Sequence, residues 1–381
     1  MSGCSVVADR WLVCSNRVMS KIVPNRRSKG AGALADRRLD THRGVRFATL
    51  VLAAIGLVAP PATDAATTLA GVKTRDSVRC GVSEGILGFS QRDASGRWSG
   101  LDVDFCRALS AAVLGDPDKA TLVPLRAAER FPALRLGRID VLLRNTTWTL
   151  SREAGLGVLF AGVLLYDGQG FMVAADSPIE SAAQLGTSTV CVEKGTLHGP
   201  QLDDWARRRR IGLTQLVLDS APDAAAAFFD GRCGVLSSDV STLAAVRATA
   251  PHERAFRILT EQVSKQPLGP AVRTGDDNWF TLVRWVLFAL VAADEAELTR
   301  ANVAQLRSSA DPVAQRMLNA DRELGRLLDI EPEWSLRAVL SVGNYSEIFE
   351  RNLGRGSPLQ LEPGVNRPWN RGGILFAPSL Q

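Results

Sequence analysis

Two stretches of this 381-residue chain repeat one pattern, and the repeat restricts the fold more than any other feature. Val78-Arg-Cys-Gly-Val82 and Thr189-Val-Cys-Val192 are short apolar runs that each carry a cysteine and lead to a Gly-containing turn. A helix-like pattern follows each, and then a second echo: Gly137-Arg-Ile-Asp-Val-Leu142 and Gly231-Arg-Cys-Gly-Val-Leu236. Both halves close on a polar cluster, Arg144-Asn-Thr-Thr147 in one and Ser237-Ser-Asp239 in the other. Strand, helix and strand joined by a right-handed crossover build a parallel sheet. Two such units predict two α/β lobes with polar strand ends facing one cleft, where open α/β sheets bind ligands.

The connections predict how the lobes are joined. The segments from Phe160 to Val173 and from Val263 to Arg273 are extended, Gly-containing and partly apolar, and they flank the second unit on both sides. A lobe inserted through two strands is a hinge arrangement that permits closure on a ligand; two consecutive domains are the alternative. Asp276-Asp277 caps a helix predicted over about Asn278 to Ala293, apolar nearly all round and therefore buried. The last forty residues, rich in Gly and Pro, read as an extended tail packed back on the body.

Charge is unevenly placed. Residues 1–65 hold ten Lys/Arg against four Asp, a net +6, so with +5 on the whole chain the remainder carries −1. A near-neutral body removes the main support for nucleic-acid binding. Within the leader, His42-Arg-Gly-Val-Arg46 precedes an apolar run over 47–59, then Pro60-Pro61 and Thr63-Asp-Ala65. A basic segment, a short apolar run and small residues are the pattern of a secretory signal peptide, with cleavage predicted near Ala65. The run is shorter than the ~20 residues a bilayer requires. Met19 is a candidate start, and Arg37-Arg38 fits a twin-arginine signal poorly. Beyond the leader four cysteines remain, Cys80, Cys106, Cys191 and Cys233. An even number in an exported chain predicts two disulfides. Of three connectivities the local one, Cys80–Cys106 with Cys191–Cys233, is preferred; four reduced buried thiols are the alternative. With no C-x-x-C pair and only His198 and His252 in the body, no metal site is expected.

The first polar cluster runs on as Arg144-Asn-Thr-Thr-Trp-Thr-Leu-Ser-Arg152, directly after the apolar Ile139–Leu143. Hydroxyls, an amide and two guanidinium groups at the mouth of a strand suit a carboxylate ligand, with Arg152 able to grip two oxygens. A polar turn with both arginines solvated is the competing reading. Trp148 is placed either for stacking on a ligand or for packing. Asp102 and Asp104 are read as a helix cap before Phe105, and Arg207 to Arg210 as a solvated helix face.

At this point the chain resembles the periplasmic polar amino-acid-binding proteins of ABC importers, and among them the general L-amino-acid-binding subgroup. The resemblance is carried by Gly100-Leu-Asp-Val-Asp-Phe-Cys106, the Arg144–Arg152 stretch, Tyr166-Asp-Gly-Gln-Gly-Phe171, Pro267-Leu-Gly-Pro-Ala-Val-Arg273 with Gly275-Asp-Asp277, and Val342-Gly-Asn-Tyr345 with Phe349-Glu-Arg-Asn352. It implies an α/β fold of two lobes (type II periplasmic-binding-protein fold), each a mixed, mainly parallel sheet flanked by helices, joined by a two-strand hinge. Lobe 1 would be 67–163 plus 270–381 with a C-terminal extension, and lobe 2 the inserted 164–269. It implies an extracytoplasmic, periplasmic protein, monomeric, that captures an L-amino acid and hands it to an ABC permease in the inner membrane, without a cofactor.

Roles follow for matching positions. Arg152 would hold the α-carboxylate, with Arg144, Asn145 and Thr147 at the strand end. Thr147 would also touch the α-ammonium, whose main partner would be Asp239. Thr196 and the backbone N–H of Leu197 would close the carboxylate site from the second lobe; Leu197 replaces a hydroxyl residue usual in the subgroup. The loop Ser83-Glu-Gly-Ile-Leu-Gly-Phe89 would face the ligand side chain, so that Ser83 and Glu84 would tune specificity, with Glu84 favouring cationic or polar ligands. Enzyme readings are weaker. Gly81-Val-Ser83-Glu-Gly85 matches the G-x-S-x-G elbow, but the residues after it read as a loop where an elbow leads into a helix. A cyclohexadienyl or arogenate dehydratase on the same fold, with Glu84 or Glu193 as acid/base, is the alternative function. No residue is assigned as catalytic.

Overall fold

In a computed structural model of the chain, which describes residues 67–308, 314–315 and 322–380, the two echoed segments become inner strands of two separate sheets. The leader and its predicted cleavage site lie outside the described residues. In chain order the strands are β1 (Val78–Val82), the short pair β2 (Gln91–Arg92) and β3 (Trp98–Ser99), β4 (Ala120–Pro124), β5 (Val141–Leu142), β6 (Val158–Phe160), β7 (Leu165–Ala174), β8 (Thr189–Glu193), β9 (Thr214–Leu218), β10 (Val235–Asp239), β11 (Phe256–Ile258), β12 (Ser264–Leu268) and β13 (Ala271–Arg273). The helices that matter here are α1 (Thr68–Arg75), α2 (Leu101–Leu114), α3 (Arg130–Arg135), α4 (Leu150–Leu156), α5 (His198–Arg209), α6 (Ala221–Phe229), α7 (Val240–Ala248) and α8 (Asp277–Glu295).

The first sheet has the order β4-β1-β5-β13-β6 and the second β11-β7-β10-β8-β9, with β12 beside β7. In each the echoed strand is parallel to both neighbours: β1 to β4 and β5, and β8 to β9 and β10. The returning strands β13 and β7 are antiparallel. A strand covered on both faces is apolar on both, which is why β8 carries the consecutive buried residues Val190 to Val192; in β1 the run is broken by Arg79, which pairs with Asp140. Val78, Cys80 and Val82 are fully buried, as are Val190 and Cys191.

The chain passes between the sheets twice, and the two passages run side by side. The amide of Leu164 donates to Leu268 O at 2.7 Å and that of Ala161 to Pro270 O at 2.9 Å. From there β7 and β12 pair antiparallel, Leu165 opposite Leu268. A side chain at position 269 would put its Cβ 1.9 Å from Gly162 O, so only glycine lets the two passages lie this close. The C-terminal region grips the same place. The Asn366 amide pairs with Tyr166 like a third strand, accepting its N–H at 2.7 Å and donating to its carbonyl at 2.9 Å. Tyr345 Oη donates to Leu164 O.

Each lobe carries one disulfide. Cys80–Cys106 ties β1 to α2 and Cys191–Cys233 ties β8 to the turn before β10, with Cα separations of 6.2 and 5.8 Å. Loops of this length stabilise by ~3–4 kcal/mol in the chain-entropy picture. Helix α8 begins one residue earlier and ends two later than its sequence pattern suggests; Asp276 accepts the Trp279 amide, and Trp279 is buried with its indole N–H on Asp140 O. Among the described residues no helix is long and apolar enough to cross a membrane.

Two expectations need correction. The last forty residues are not simply extended: Tyr345–Asn352 is a helix with a capping box, Asn344 accepting the Glu347 amide and Glu347 accepting the Asn344 amide. Only after Leu353 does the chain run as an irregular tail, anchored by buried Leu359, Leu375 and Ala377. Nor do Asp102 and Asp104 cap α2, whose N-cap is Gly100. Both carboxylates lie inside the first turn, buried; Asp104 accepts from Arg351 Nε at 2.8 Å and Asn352 Nδ2 at 2.6 Å.

Candidate functional site

Where the strand ends of the two sheets meet, residues from both lobes line one small polar crevice. Arg130, Arg144, Asn145, Thr147 and Arg152 come from the first lobe, and Glu193, Thr196, Leu197, His198, Ser238, Asp239 and Thr242 from the second. Ile86 and Leu197 are the two large apolar side chains among the lining residues.

The first wall is built on the end of β5 and on α3 and α4. Arg144 is 3% exposed, its Nε held by Leu125 O at 2.7 Å. Asn145 adopts φ +30°, in the left-handed region that asparagine tolerates better than most residues. Its amide donates to Asp102 Oδ2 at 3.3 Å, so the acid at the start of α2 braces the turn from behind. Burial holds the Asp102 carboxyl well above the usual range, against the opposing pull of the Asn145 amide and Arg144. Thr147 Oγ1 donates to Gln266 Oε1 at 2.6 Å. Arg152, 6% exposed, sits in the first turn of α4, whose N-cap Thr149 accepts its amide, and Arg152 Nη1 donates to Thr147 O at 2.7 Å. Burial lowers its guanidinium to about 10, with Asp239 acting against the shift; the group stays a cation at neutral pH.

The second wall is built on the ends of β8 and β10. Asp239 closes β10, 3% exposed. Its Oδ1 lies 3.0 Å from His198 Nε2, at the first residue of α5. Against a carboxylate that nitrogen is the donor, which leaves Nδ1 as the acceptor in the neutral ring. Thr196 Oγ1 donates to Glu193 O at 2.7 Å and accepts the His198 amide, shaping the turn that Leu197 ends. Behind the wall, Asp167 Oδ2 accepts from the Ser241 amide and hydroxyl. Burial and the neighbouring Asp239 push its carboxyl up to about 7.

The walls touch. Arg144 Nη2 meets Glu193 Oε1 at 2.8 Å, an ion pair between the lobes with both side chains buried. Beside it Gly195, φ +77°, lies so near the other lobe that a Cβ would fall 3.0 Å from the Ala128 backbone. Four lining side chains nevertheless keep a buried polar atom without a hydrogen-bond partner: Arg130 Nε, Asn145 Oδ1, His198 Nδ1 and Thr242 Oγ1. Unsatisfied groups at a few kcal/mol each are unusual in a folded interior, and four around one crevice mark a place built for a polar ligand.

Of the residues singled out from sequence, Arg144, Asn145, Thr147, Arg152, Thr196, Leu197 and Asp239 line this crevice. Ser83 and Glu84 do not. Ser83 is buried and its hydroxyl bonds to that of Ser90, while Glu84 is exposed and lies 3.6 Å from Arg126. The loop instead presents Ile86. Glu84 is thus placed outside the crevice because its backbone turns it to the surface. Glu193 is neutralised by Arg144, so neither carboxylate considered as an acid/base is free in the crevice. Ser83 is followed by bends and bridges and not by a helix, so it is no nucleophile elbow. Trp148 packs, stacked on Phe160 at 5.9 Å with its indole N–H on Glu153. Arg207 to Arg210 are exposed as expected. Sequence reasoning gave no place in the crevice to Arg130, His198 or Thr242.

Comparison with known proteins gives concordant results. Residues 78–303 match the family described as bacterial extracellular solute-binding proteins, family 3. The chain is 44% identical to the general L-amino acid-binding periplasmic protein AapJ of Rhizobium johnstonii, over 87% of this chain and 99% of that relative. It is 41% identical to the glutamate/glutamine/aspartate/asparagine-binding protein BztA of Rhodobacter capsulatus, over 88% and 98%. A solved periplasmic binding protein from Brucella ovis, with glutathione bound, superposes with a TM-score of 0.81 at 42% identity, covering 83% of this chain and all of that one.

Proposed function

The chain belongs to the bacterial extracellular solute-binding proteins of family 3, and from that premise we propose that it captures L-amino acids in the crevice between its lobes and delivers them to an ABC permease in the inner membrane. The observation that carries this reading is the pairing of a buried guanidinium from one lobe, Arg152, with a buried carboxylate from the other, Asp239, across one crevice. An α-amino acid is a zwitterion, so its site needs a fixed cation and a fixed anion a few ångströms apart. In this reading Arg152 takes the α-carboxylate, helped by Arg144, Asn145, Thr196 and the Leu197 amide. Asp239 takes the ammonium, with Thr147 as a second acceptor.

Because the ligand is gripped from both sides, it stabilises the closed form over the open one. The lobes, 67–163 with 270–381 and the inserted 164–269, would rotate about the paired passages at Gly162 and Gly269. The protein would act as a monomer in the periplasm after cleavage near Ala65, which sequencing the N-terminus of the exported protein would check. A thermal-shift screen of the twenty amino acids, with glutathione added because it occupies the Brucella ovis relative, tests the reading. A ligand at 100 times its dissociation constant adds about 2.7 kcal/mol of stability. No shift with any amino acid would refute the proposal.

A further inference from the structure

The crevice holds three guanidinium groups, and the zwitterion reading uses only two of them. Arg144 is bound to Glu193 at 2.8 Å and Arg152 faces Asp239. Arg130, on α3, is left over. It is 3% exposed and lines the same crevice. Its Nη1 donates to Ala127 O at 2.9 Å, its Nε has no partner, and among the described residues no carboxylate lies within ion-pair distance of it. The ring of Phe131, 4.9 Å from the guanidinium carbon, offers a π-face but no charge.

A buried cation without a counter-ion is costly, and its natural complement is a carboxylate that accepts from both Nε and an Nη. Among the described residues none is supplied. Glu193 and Asp239 attract Arg130 only from a distance, each with a nearer partner, while Arg152 and Arg144 repel it. Asp102 and Asp167 stand behind the walls, and burial pushes both toward their neutral forms. The lining therefore carries three guanidinium groups against two carboxylates. A neutral zwitterion leaves that excess in place, a cationic ligand worsens it, and a ligand with one more carboxylate cancels it.

We propose that Arg130 receives the side-chain carboxylate of the ligand, so that the crevice takes acidic amino acids, L-glutamate or L-aspartate, in preference to their amides. This rests on the zwitterion reading above, with Arg152 and Asp239 occupied by the ligand's α-groups. It runs opposite to the cationic preference expected from Glu84, whose carboxylate lies outside the crevice.

Glutamate and glutamine are nearly isosteric, so the ratio of their affinities isolates the second carboxylate. Calorimetric titration of the mature protein with each should give glutamate at least ten-fold tighter. Arg130→Gln should bring the ratio close to one, and Arg130→Met, which keeps an unbranched apolar stem without the charge, should do the same if the first variant folds poorly. Equal affinities in the wild type, or a ratio unchanged in a folded variant, would overturn the assignment while leaving amino-acid capture intact. If no amino acid binds at all, both readings fall together.

Discussion

The two walls of the crevice are opposite in charge and different in construction. The first-lobe wall presents Arg130, Arg144 and Arg152, each held by a backbone carbonyl: Ala127, Leu125 and Thr147. The second-lobe wall presents Glu193 and Asp239, with Asp167 behind. Cations on one body and anions on the other mean that the lobes attract each other before any ligand arrives, and that a zwitterion can insert with its carboxylate toward one wall and its ammonium toward the other. The construction matters as much as the sign. Carbonyl groups orient the guanidiniums without neutralising them, so the first wall keeps its charge for a ligand or for the opposite lobe.

The contrast is broken most severely at Arg152. Arg152→Ala removes the cation that faces Asp239 and leaves that carboxylate buried beside His198 and an unbalanced ligand ammonium. Affinity for any amino acid that the wild type binds should fall by about 3–5 kcal/mol, more than a hundred-fold, because one half of a buried charge pair is stranded. Calorimetric titration reads this directly, and a loss below ten-fold would show that Arg144 or Arg130 carries the α-carboxylate instead.

A smaller effect is expected where the walls touch. Glu193→Gln keeps an acceptor for Arg144 but takes away its charge, so Arg144 remains buried opposite a dipole. The variant should lose about 2–3 kcal/mol of unliganded stability, or avoid that loss by opening. Chemical unfolding reports the first outcome and an increase in radius of gyration by small-angle scattering the second. If both quantities match the wild type, the Arg144–Glu193 bond contributes nothing to closure.

Legibility differed between the walls and the rest in ways that have physical causes. The parallel strands were readable because burial makes them largely apolar, and the repeat doubled the signal at Cys80 and Cys191. The disulfide pairs were readable because each joins residues within one local unit. Arg130 was not readable: beside Glu129 and near Arg126 and Arg135 it resembles any solvated helix arginine, and only the folded chain places it, buried, in the crevice. His198 failed for a similar reason, since its partner Asp239 is 41 residues away. Glu84 was misplaced because its loop was located correctly near the crevice while the direction of one side chain is set by local backbone. The helix at Tyr345 carried a usable signal, Asn344 with Glu347 three residues on, that the Gly and Pro around it obscured.

The subtlest test of the contrast concerns the excess negative charge on the second wall. Asp167 has its carboxyl pushed up to about 7 by burial and by Asp239, against an unfolded value of ~3.9. Between about pH 4 and pH 7 the folded protein therefore holds a proton that the unfolded chain has released, and stability falls as pH rises through that window. Asp167→Asn cannot ionise and lacks this contribution, so the difference in unfolding free energy should move in favour of the variant between pH 4 and pH 8. Parallel wild-type and variant profiles would remove Asp167 from the account. A ligand ammonium at Asp239 supplies the positive charge that Asp167 lacks, and it should lower the Asp167 pKa. Saturating amino acid should then flatten the wild-type slope toward that of the variant, and binding near pH 7 should release a fraction of a proton, read as a dependence of the binding enthalpy on buffer ionisation. A slope that ligand leaves untouched would place the ammonium away from Asp239, and with it the whole polarity assigned to the crevice.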